Sequence, residues 1–539
     1  MIRRMLFTMP VLLTGLLSLT VVFNGLLAAD RPNVLFVICD DLNDTVEGLG
    51  GHPQARTPNI DRLTRSGVRF VNAHSSNPVC GPSRASLWSG LYPHTSGMYG
   101  YNQNRYTWRD SPVLKDAVTL FEHFSKNGYE TYATGKIFHN NHHTESLFRE
   151  PGQYDRFGVD ASFGPFPARN GGSMSHPSMK SPWGANGFEV FVPLSDVPQV
   201  PPDPSKNKPG FGGWIDNGQP FRYEGPNNRD LMTDERSALW VSEQLAANHQ
   251  KPFFMTVGFM RPHSPWVVPQ KYFDLFPLDQ IELPPFLAND LEDCGQPIWQ
   301  MKEKVIHYSR LERLREAYPG TEGWKRWIRA YLASVAFVDD QLGKVLDALE
   351  NSRYADNTII VFTSDHGFHM GEKDLLFKKT IWEESTRVPL VIHAPGIAEP
   401  GEKCEQPVSL IDLYPTLIDL CGLPREPNQH GNGRDLDGHS LRPLLTKPEA
   451  GIWDGPPVAL SVIEGGVPVE IGEIAPLSQQ HFTVRSIDWR YSLWANGEEE
   501  LYDHRTDPQE WHNLAADPDH ATIKNGLREE LRRLTGRGE

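Results

Sequence analysis

What most constrains the fold is a repeated pairing of a short apolar run with polar residues at its C-terminal end. Val34 to Ile38 leads into Asp40-Asp41, and Tyr129 to Ala133 into Gly135-Lys136-Ile137-Phe138-His139. Phe253 to Phe259 leads into Arg261-Pro262-His263, and Thr358 to Thr363 into Ser364-Asp365-His366-Gly367. Short continuous apolar runs bounded in this way read as strands buried on both faces. Helical patterns separate them. Thr57-Pro58 caps a helix through about Ser66 that Gly67 stops, and Pro82 serves as first residue of a helix that runs to about Ser89 and ends at Gly90. Leu120 and Phe124 recur at helical spacing before Gly128, and another helix falls around Thr233 to Asn248. A long amphipathic helix covers about Trp324 to Glu350, with Ile328, Leu332, Val335, Leu342 and Leu346 on one face. This alternation predicts an α/β fold, a large mainly parallel sheet sandwiched by helices.

In open sheets of this kind, ligands bind beyond the carboxyl ends of the strands. Asp40-Asp41, Lys136 with His139, His263, and Asp365-His366 all sit at such ends and are expected to converge on one pocket. Taken alone, Asp40-Asp41 reads as a strand-end turn, and His139 or His263 as a loop hydrogen-bonder. Together with Asp365 they bring three carboxylates to one place, which calls for a hard cation with oxygen ligands, calcium or magnesium. No Cys/His spacing points to zinc. Lys378, beside Lys379, reads either as a site residue or as half of a solvated charged pair. Asp339-Asp340 on the long helix are expected to be structural, Cys39 a buried strand-end thiol, and His142 and His143 surface residues.

The chain has 539 residues, more than one core usually organises, so a large domain over 30–450 and a smaller one over 451–539 are expected. The later segment carries paired strands at Phe482 to Ile487 and Trp489 to Ala495, then Leu501-Tyr502-Asp503 and a closing helix: an α+β subdomain with an antiparallel sheet. From about His142 to Pro226 Gly, Pro and aromatics dominate, which reads as a structured loop insertion over the site. A formal net charge of -16 argues against nucleic acid or anionic membranes as main partners. Arg3 and Arg4 precede an apolar stretch from about Met5 to Phe23, then Asn24-Gly25 and Leu27-Ala28-Ala29. Residues 1–29 therefore read as a secretory signal of an exported protein, with an uncleaved anchor as the alternative. An odd count of five cysteines leaves at least one unpaired, and Cys404 with Cys421 is a candidate pair.

Cys80-Gly81-Pro82-Ser83-Arg84, continuing through Ser89-Gly90, closely resembles the maturation motif of the sulfatase family, with Ser89 where that family usually has Thr. Arg31-Pro32-Asn33-Val34-Leu35 with Asp40-Asp41, Gly135-Lys136, Pro262-His263, Thr363 to Gly367, and Leu501-Tyr502-Asp503 with Asp507-Pro508 and Asn513-Leu514 resemble further segments of that family in the same order. Gly135 to His139, Arg261-Pro262-His263, His366, Tyr331 to Val335 and Lys378 are most similar to its iduronate-2-sulfatase branch. The resemblance implies an alkaline-phosphatase-like fold and oxidation of Cys80 to formylglycine by a formylglycine-generating maturase. It also implies a calcium ion held by Asp40, Asp41, Asp365, His366 and position 80. One hydroxyl of the hydrated aldehyde would attack sulfur, with Asp365 accepting its proton. Arg84 and Lys136 would fix the hydrate and balance charge, and the start of the helix at Pro82 would add a positive end. His263 and Lys378 would protonate the departing oxygen, and His139 would take the proton of the second hydroxyl. The substrate implied is a sulfated sugar or polysaccharide, one carrying uronic acid. The protein itself would be exported to a periplasmic, secreted or lysosome-like compartment after signal cleavage, without stable membrane association. Two rivals remain: a phosphodiesterase or phosphonate hydrolase on the same scaffold, and a glycan-binding relative without turnover.

Overall fold

The computed structural model describes residues 31–536, apart from 47, 101–108, 110, 140–154, 163–189, 198–214, 217–218, 430, 450, 467–468 and 470–472. The expected secretory signal, His142, His143 and most of the expected insertion lie outside the described residues.

The main sheet is built from β1 (Asn33–Asp40), β2 (Val68–His74), β3 (Glu130–Gly135), β4 (Arg156–Asp160), β5 (Phe253–Pro262), β6 (Thr358–Ser364), β7 (Arg387–His393), β8 (Lys403–Cys404) and β9 (Val408–Ser409). Its order is β8-β2-β7-β6-β1-β5-β3-β4, with β9 also on β2. Pairings are parallel except those of β7, which runs antiparallel to both β6 and β2. The mainly parallel sheet is thus as expected, and the reversed β7 is an addition that the apolar runs did not signal.

Every residue of β1 is buried, and its side chains alternate between two cores. Leu35, Val37 and Cys39 pack on the side of helices α4 (Thr233–Ala246) and α5 (Glu322–Glu350). Val34, Phe36 and Ile38 pack on the side of α2 (Cys80–Ser89), α3 (Leu120–Lys126) and α6 (Leu413–Leu420). Covering both faces is what makes the strand a continuous apolar run.

Two local expectations are corrected. Helix α1 (Pro58–Ser66) has Pro at its first position, but the Thr57 side chain makes no capping bond. Asp339 of α5 takes that place, accepting from Asn59 N and Ile60 N at 3.1 and 2.8 Å. Helix α2 begins at Cys80, two residues before Pro82. Proline is tolerated there because the first N–H groups of a helix have no partner inside it. The left-handed Gly90 (φ 70°) closes α2, its N–H reaching Ser86 O at 2.8 Å.

A four-stranded antiparallel sheet follows, β10 (Ala459–Glu464), β11 (Gln480–Arg485), β12 (Trp489–Leu493) and β13 (Glu499–Asp503), backed by α7 (Ala521–Thr535). It is stitched to the main body: Val462 N donates to Ser76 O at 2.9 Å and Ser461 Oγ to Ser75 O at 2.6 Å. All five cysteines are free and buried, so Cys404 and Cys421 are not paired. Among the described residues, no helix is long and apolar enough to cross a membrane.

Candidate active site

The strand ends build the site. Against β5 the register of β1 shifts between Ile38 and Asp40, so that Asp40 lies opposite Pro262. Asp41 then adopts a left-handed backbone (φ 66°), a conformation aspartate tolerates better than most residues. Three bonds brace this turn: Tyr331 Oη of α5 donates to Asp41 O at 2.8 Å, Asn43 N donates to Tyr331 Oη at 3.1 Å, and Asp41 N donates to Asp365 Oδ1 at 3.2 Å. Asp40 and Asp41 are thereby turned in different directions.

Cys80 is the first residue of α2 and is fully buried. Its Sγ lies 3.2 Å from His366 Nε2 and 3.1 Å from Lys378 Nζ. His139 interacts with the same thiol. Arg84, one turn along α2, has its Nε 2.9 Å from Asp365 Oδ2 and also donates to the Lys136 carbonyl. Lys136 Nζ is ion-paired with Asp40, and Lys378 Nζ with Asp41. His263 Nε2 is 3.7 Å from Asp41 Oδ2. All the residues anticipated for the site are therefore brought to one place. Lys378, which could have been half of a solvated pair, is buried in its centre.

Ligand atoms of Asp40, Cys80, Asp365 and His366 lie within 4.8 Å of one another, which gathers four of the five anticipated metal ligands. Asp41 stands beside them, with Oδ1 3.5 Å from His366 Nε2. The donor set fits a hard cation on two grounds. Buried Asp40 Oδ1 accepts no hydrogen bond, the Arg84 guanidinium approaching only to 3.7 Å. In addition, burial together with neighbouring Asp40 pushes the Asp365 carboxyl up to about 7. Burial opposes protonation of His366, yet Asp365 and Cys80 together outweigh it and raise the imidazole to about 9. The cluster thus balances its negative charge by retaining protons, a need that a cation also meets.

The same field acts on the thiol. Burial would raise Cys80, but Lys136, Lys378 and His366 hold it well below the ordinary thiol range. Burial lowers His139, which favours the neutral imidazole, a proton acceptor. The Asp40 carboxyl is pushed up by burial and by Cys80, but Lys136, His263 and Arg84 prevail and leave it below the usual range.

Two further residues support the site: Asp234, which the sequence did not single out, and Arg261, which it offered only as part of Arg261-Pro262-His263. Buried Asp234, at the start of α4, accepts from Met260 N at 2.7 Å and Arg261 N at 3.0 Å. Arg261, itself buried, donates from Nη1 to His263 O at 3.1 Å. Asp234 follows Thr233 in a helix-opening pattern that reads as an ordinary first-turn acid, and only the fold reveals what it braces.

The family model described as Sulfatase matches residues 32–423. A "Sulfatase" of Formosa agariphila is 36% identical over 488 residues, covering 90% of this chain and 83% of that protein. The "Iduronate 2-sulfatase" of Mus musculus is 28% identical over 562 residues, covering 93% and 94%. Among solved structures, a protein in complex with its substrate D-glucosamine-2-N,6-O-disulfate has a TM-score of 0.64 at 21% identity, covering 94% of this chain and 99% of that one. The phosphonate monoester hydrolase of Agrobacterium radiobacter has a TM-score of 0.67 at 24% identity, covering 94% and 96%. These two likenesses speak to the fold alone.

Proposed function

Since the chain belongs to the sulfatase family, we propose that it is an exported, calcium-dependent hydrolase of sulfate esters on a sulfated sugar or polysaccharide, one carrying uronic acid. The observation that carries this reading is the surroundings of Cys80. It stands at a helix N-terminus, within 3.2 Å of His366 and 3.1 Å of Lys378, inside a four-ligand cluster. The uronic-acid preference rests on the likeness to iduronate 2-sulfatase at 28% identity.

Calcium, held by Asp40, Asp365, His366 and position 80 with Asp41 alongside, would polarise the sulfate ester. Formylglycine made from Cys80 by a maturase would supply the nucleophile as its hydrate. The chain's own residues divide the remaining work. Arg84 and Lys136 neutralise the charge gathered around position 80 and hold Asp365 and Asp40 in place. The start of α2 directs its unpaired N–H groups toward an anion. Asp365 takes a proton from the attacking group, and His139 accepts one afterwards. Lys378 and His263, which flank Asp41, supply the proton needed by an alkoxide leaving group. An alcohol leaves poorly, so this acid matters more for a sugar than for a phenol. In this reading residues 1–29 are a cleaved signal, and the chain divides near 450 into a catalytic domain and a C-terminal subdomain.

The test is mass spectrometry of the peptide spanning Cys80, made in the native host, followed by turnover of sulfated uronic-acid sugars with and without calcium. Conversion of thiol to aldehyde, together with calcium-dependent sulfate release, supports the reading. An unmodified cysteine throughout removes the nucleophile, and the glycan-binding alternative then stands in its place. Phosphodiesters and phosphonates belong in the same assay. A kcat/KM for them above that for every sulfate ester would favour the rival hydrolase, whose fold is shared.

A further inference from the structure

The segment from Lys378 to Thr386 connects the candidate site to the C-terminal sheet, which holds it alongside bonds from the main body: Tyr308 Oη to Lys379 O at 2.9 Å, Ser75 N to Thr386 O at 2.8 Å, and His369 Nε2 with Thr380 Oγ1 at 2.7 Å. Arg490 of β12 is fully buried. Its guanidinium ion-pairs with Glu383 and with Glu510. It also donates to Ile381 O at 3.1 Å and to Thr386 Oγ1 at 3.3 Å. Glu510 accepts from Glu383 N at 2.9 Å, and Arg485 Nε reaches Glu383 Oε2 at 3.1 Å. Trp382 Nε1 donates to Glu500 Oε2 at 3.0 Å. At the near end, Lys379 Nζ pairs with Glu464 of β10 at 2.7 Å while its N–H bonds Pro78 O at 3.1 Å, two residues before Cys80.

Buried ion pairs of this kind are seldom the most stable way to fill a core. Their geometric demand, by contrast, is strict. A guanidinium presents donors in a rigid fork, and here the fork reads a carbonyl, a hydroxyl and two carboxylates on either side of one short segment. Lys378 is at the end of that segment, its ammonium within 3.1 Å of Cys80 Sγ, and a general acid works only when held at hydrogen-bond distance from the oxygen it serves. We propose that Arg490, acting through Glu383 and Glu510, is a positioning residue for Lys378, so that the C-terminal sheet is a working part of the active site. This inference rests on the sulfatase reading of Lys378.

The test compares two leaving groups. Steady-state kinetics on a sulfated uronic-acid sugar and on 4-nitrophenyl sulfate are measured for wild type, Glu383→Gln, Arg490→Lys and Lys378→Ala, alongside thermal midpoints. Arg528→Met serves as control, since Arg528 pairs with Glu499 and makes no bond to the segment. For the positioning variants, kcat on the sugar should fall about tenfold or more with KM within about twofold, while kcat on 4-nitrophenyl sulfate falls less than about threefold, the pattern of a misplaced proton donor. Lys378→Ala should show the same asymmetry, enlarged. Equal losses on both substrates, or a loss no larger than that of Arg528→Met at matched thermal midpoint, would overturn the inference. Should Arg490→Lys fail to fold, Glu383→Gln alone decides, because it keeps the side-chain shape and the backbone bond to Glu510. Wild type without turnover of any sulfate ester would instead defeat the underlying reading before any variant is compared.

Discussion

Tyr331 and Lys378 show how the site is held. Tyr331 sits mid-helix with its hydroxyl between Asp41 O and Asn43 N, bracing the one turn that sends adjacent carboxylates in different directions. Tyr331→Phe should weaken calcium binding by about tenfold, as loss of an outer partner of a metal ligand commonly does, read from the calcium dependence of the thermal midpoint. Lys378→Ala should lower kcat on a sugar sulfate by about 10²- to 10³-fold, in steady-state assays. Asp40, Asp365 and His366 were legible because an acid at the end of an apolar strand has few structural reasons to be there. Lys378 was barely legible, since a lysine beside a lysine says nothing about burial. Arg490 and Asp234 were not legible at all. Their roles depend on partners twenty or more residues away, and a buried arginine is spelled the same way as a surface one.

At the scale of elements, the strands that end at the site were readable because burial on both faces makes them uniformly apolar. β2 and β7 escaped for a physical reason. Val68–His74 mixes apolar with polar residues, and Arg387–His393 carries a proline and runs opposite to its neighbours. The start of α2 was misplaced because proline marks helix openings only statistically. The consequence is substantive, since Cys80 becomes a helical residue at the N-terminal end. Thr57 and Pro58 open α1 as expected, but a carboxylate on α5, in place of the threonine hydroxyl, meets the first N–H groups. Burial pushes Asp339 from its ordinary 3.8 up to about 6. The fold therefore favours the protonated form. That contribution is complete below the unfolded value and is lost as pH rises through about 6. Asp339→Asn should flatten this slope by on the order of 2 kcal/mol between pH 4 and 7, measured by denaturant titration against wild type.

For the whole molecule, the candidate site draws on residues from Asp40 to Lys378, and its support extends to Glu510. All of these site residues belong to the main body, and the antiparallel sheet enters only through that support. Composition and length could not foretell that a buried charge network would join the C-terminal sheet to the main body, because pairing across more than a hundred residues leaves no local pattern. If calcium binds the folded chain alone, saturating it at about a hundredfold over Kd adds about 2.7 kcal/mol of stability. Chelation should therefore lower the thermal midpoint reversibly, with calcium restoring it at lower concentration than magnesium, by differential scanning fluorimetry. Equal restoration by both ions would argue against a site sized for calcium.

Five buried, unbridged thiols carry a consequence for where such a chain can exist. No covalent cross-link limits the unfolded ensemble, so the free energy of folding owes nothing to the thiol–disulfide poise of the surroundings. A reducing cytosol and an oxidising exterior should support the same folded state, and dithiothreitol should leave the thermal midpoint where it was. Compartment would then govern the chemistry at position 80, through whichever maturase is present, and leave the architecture around it untouched.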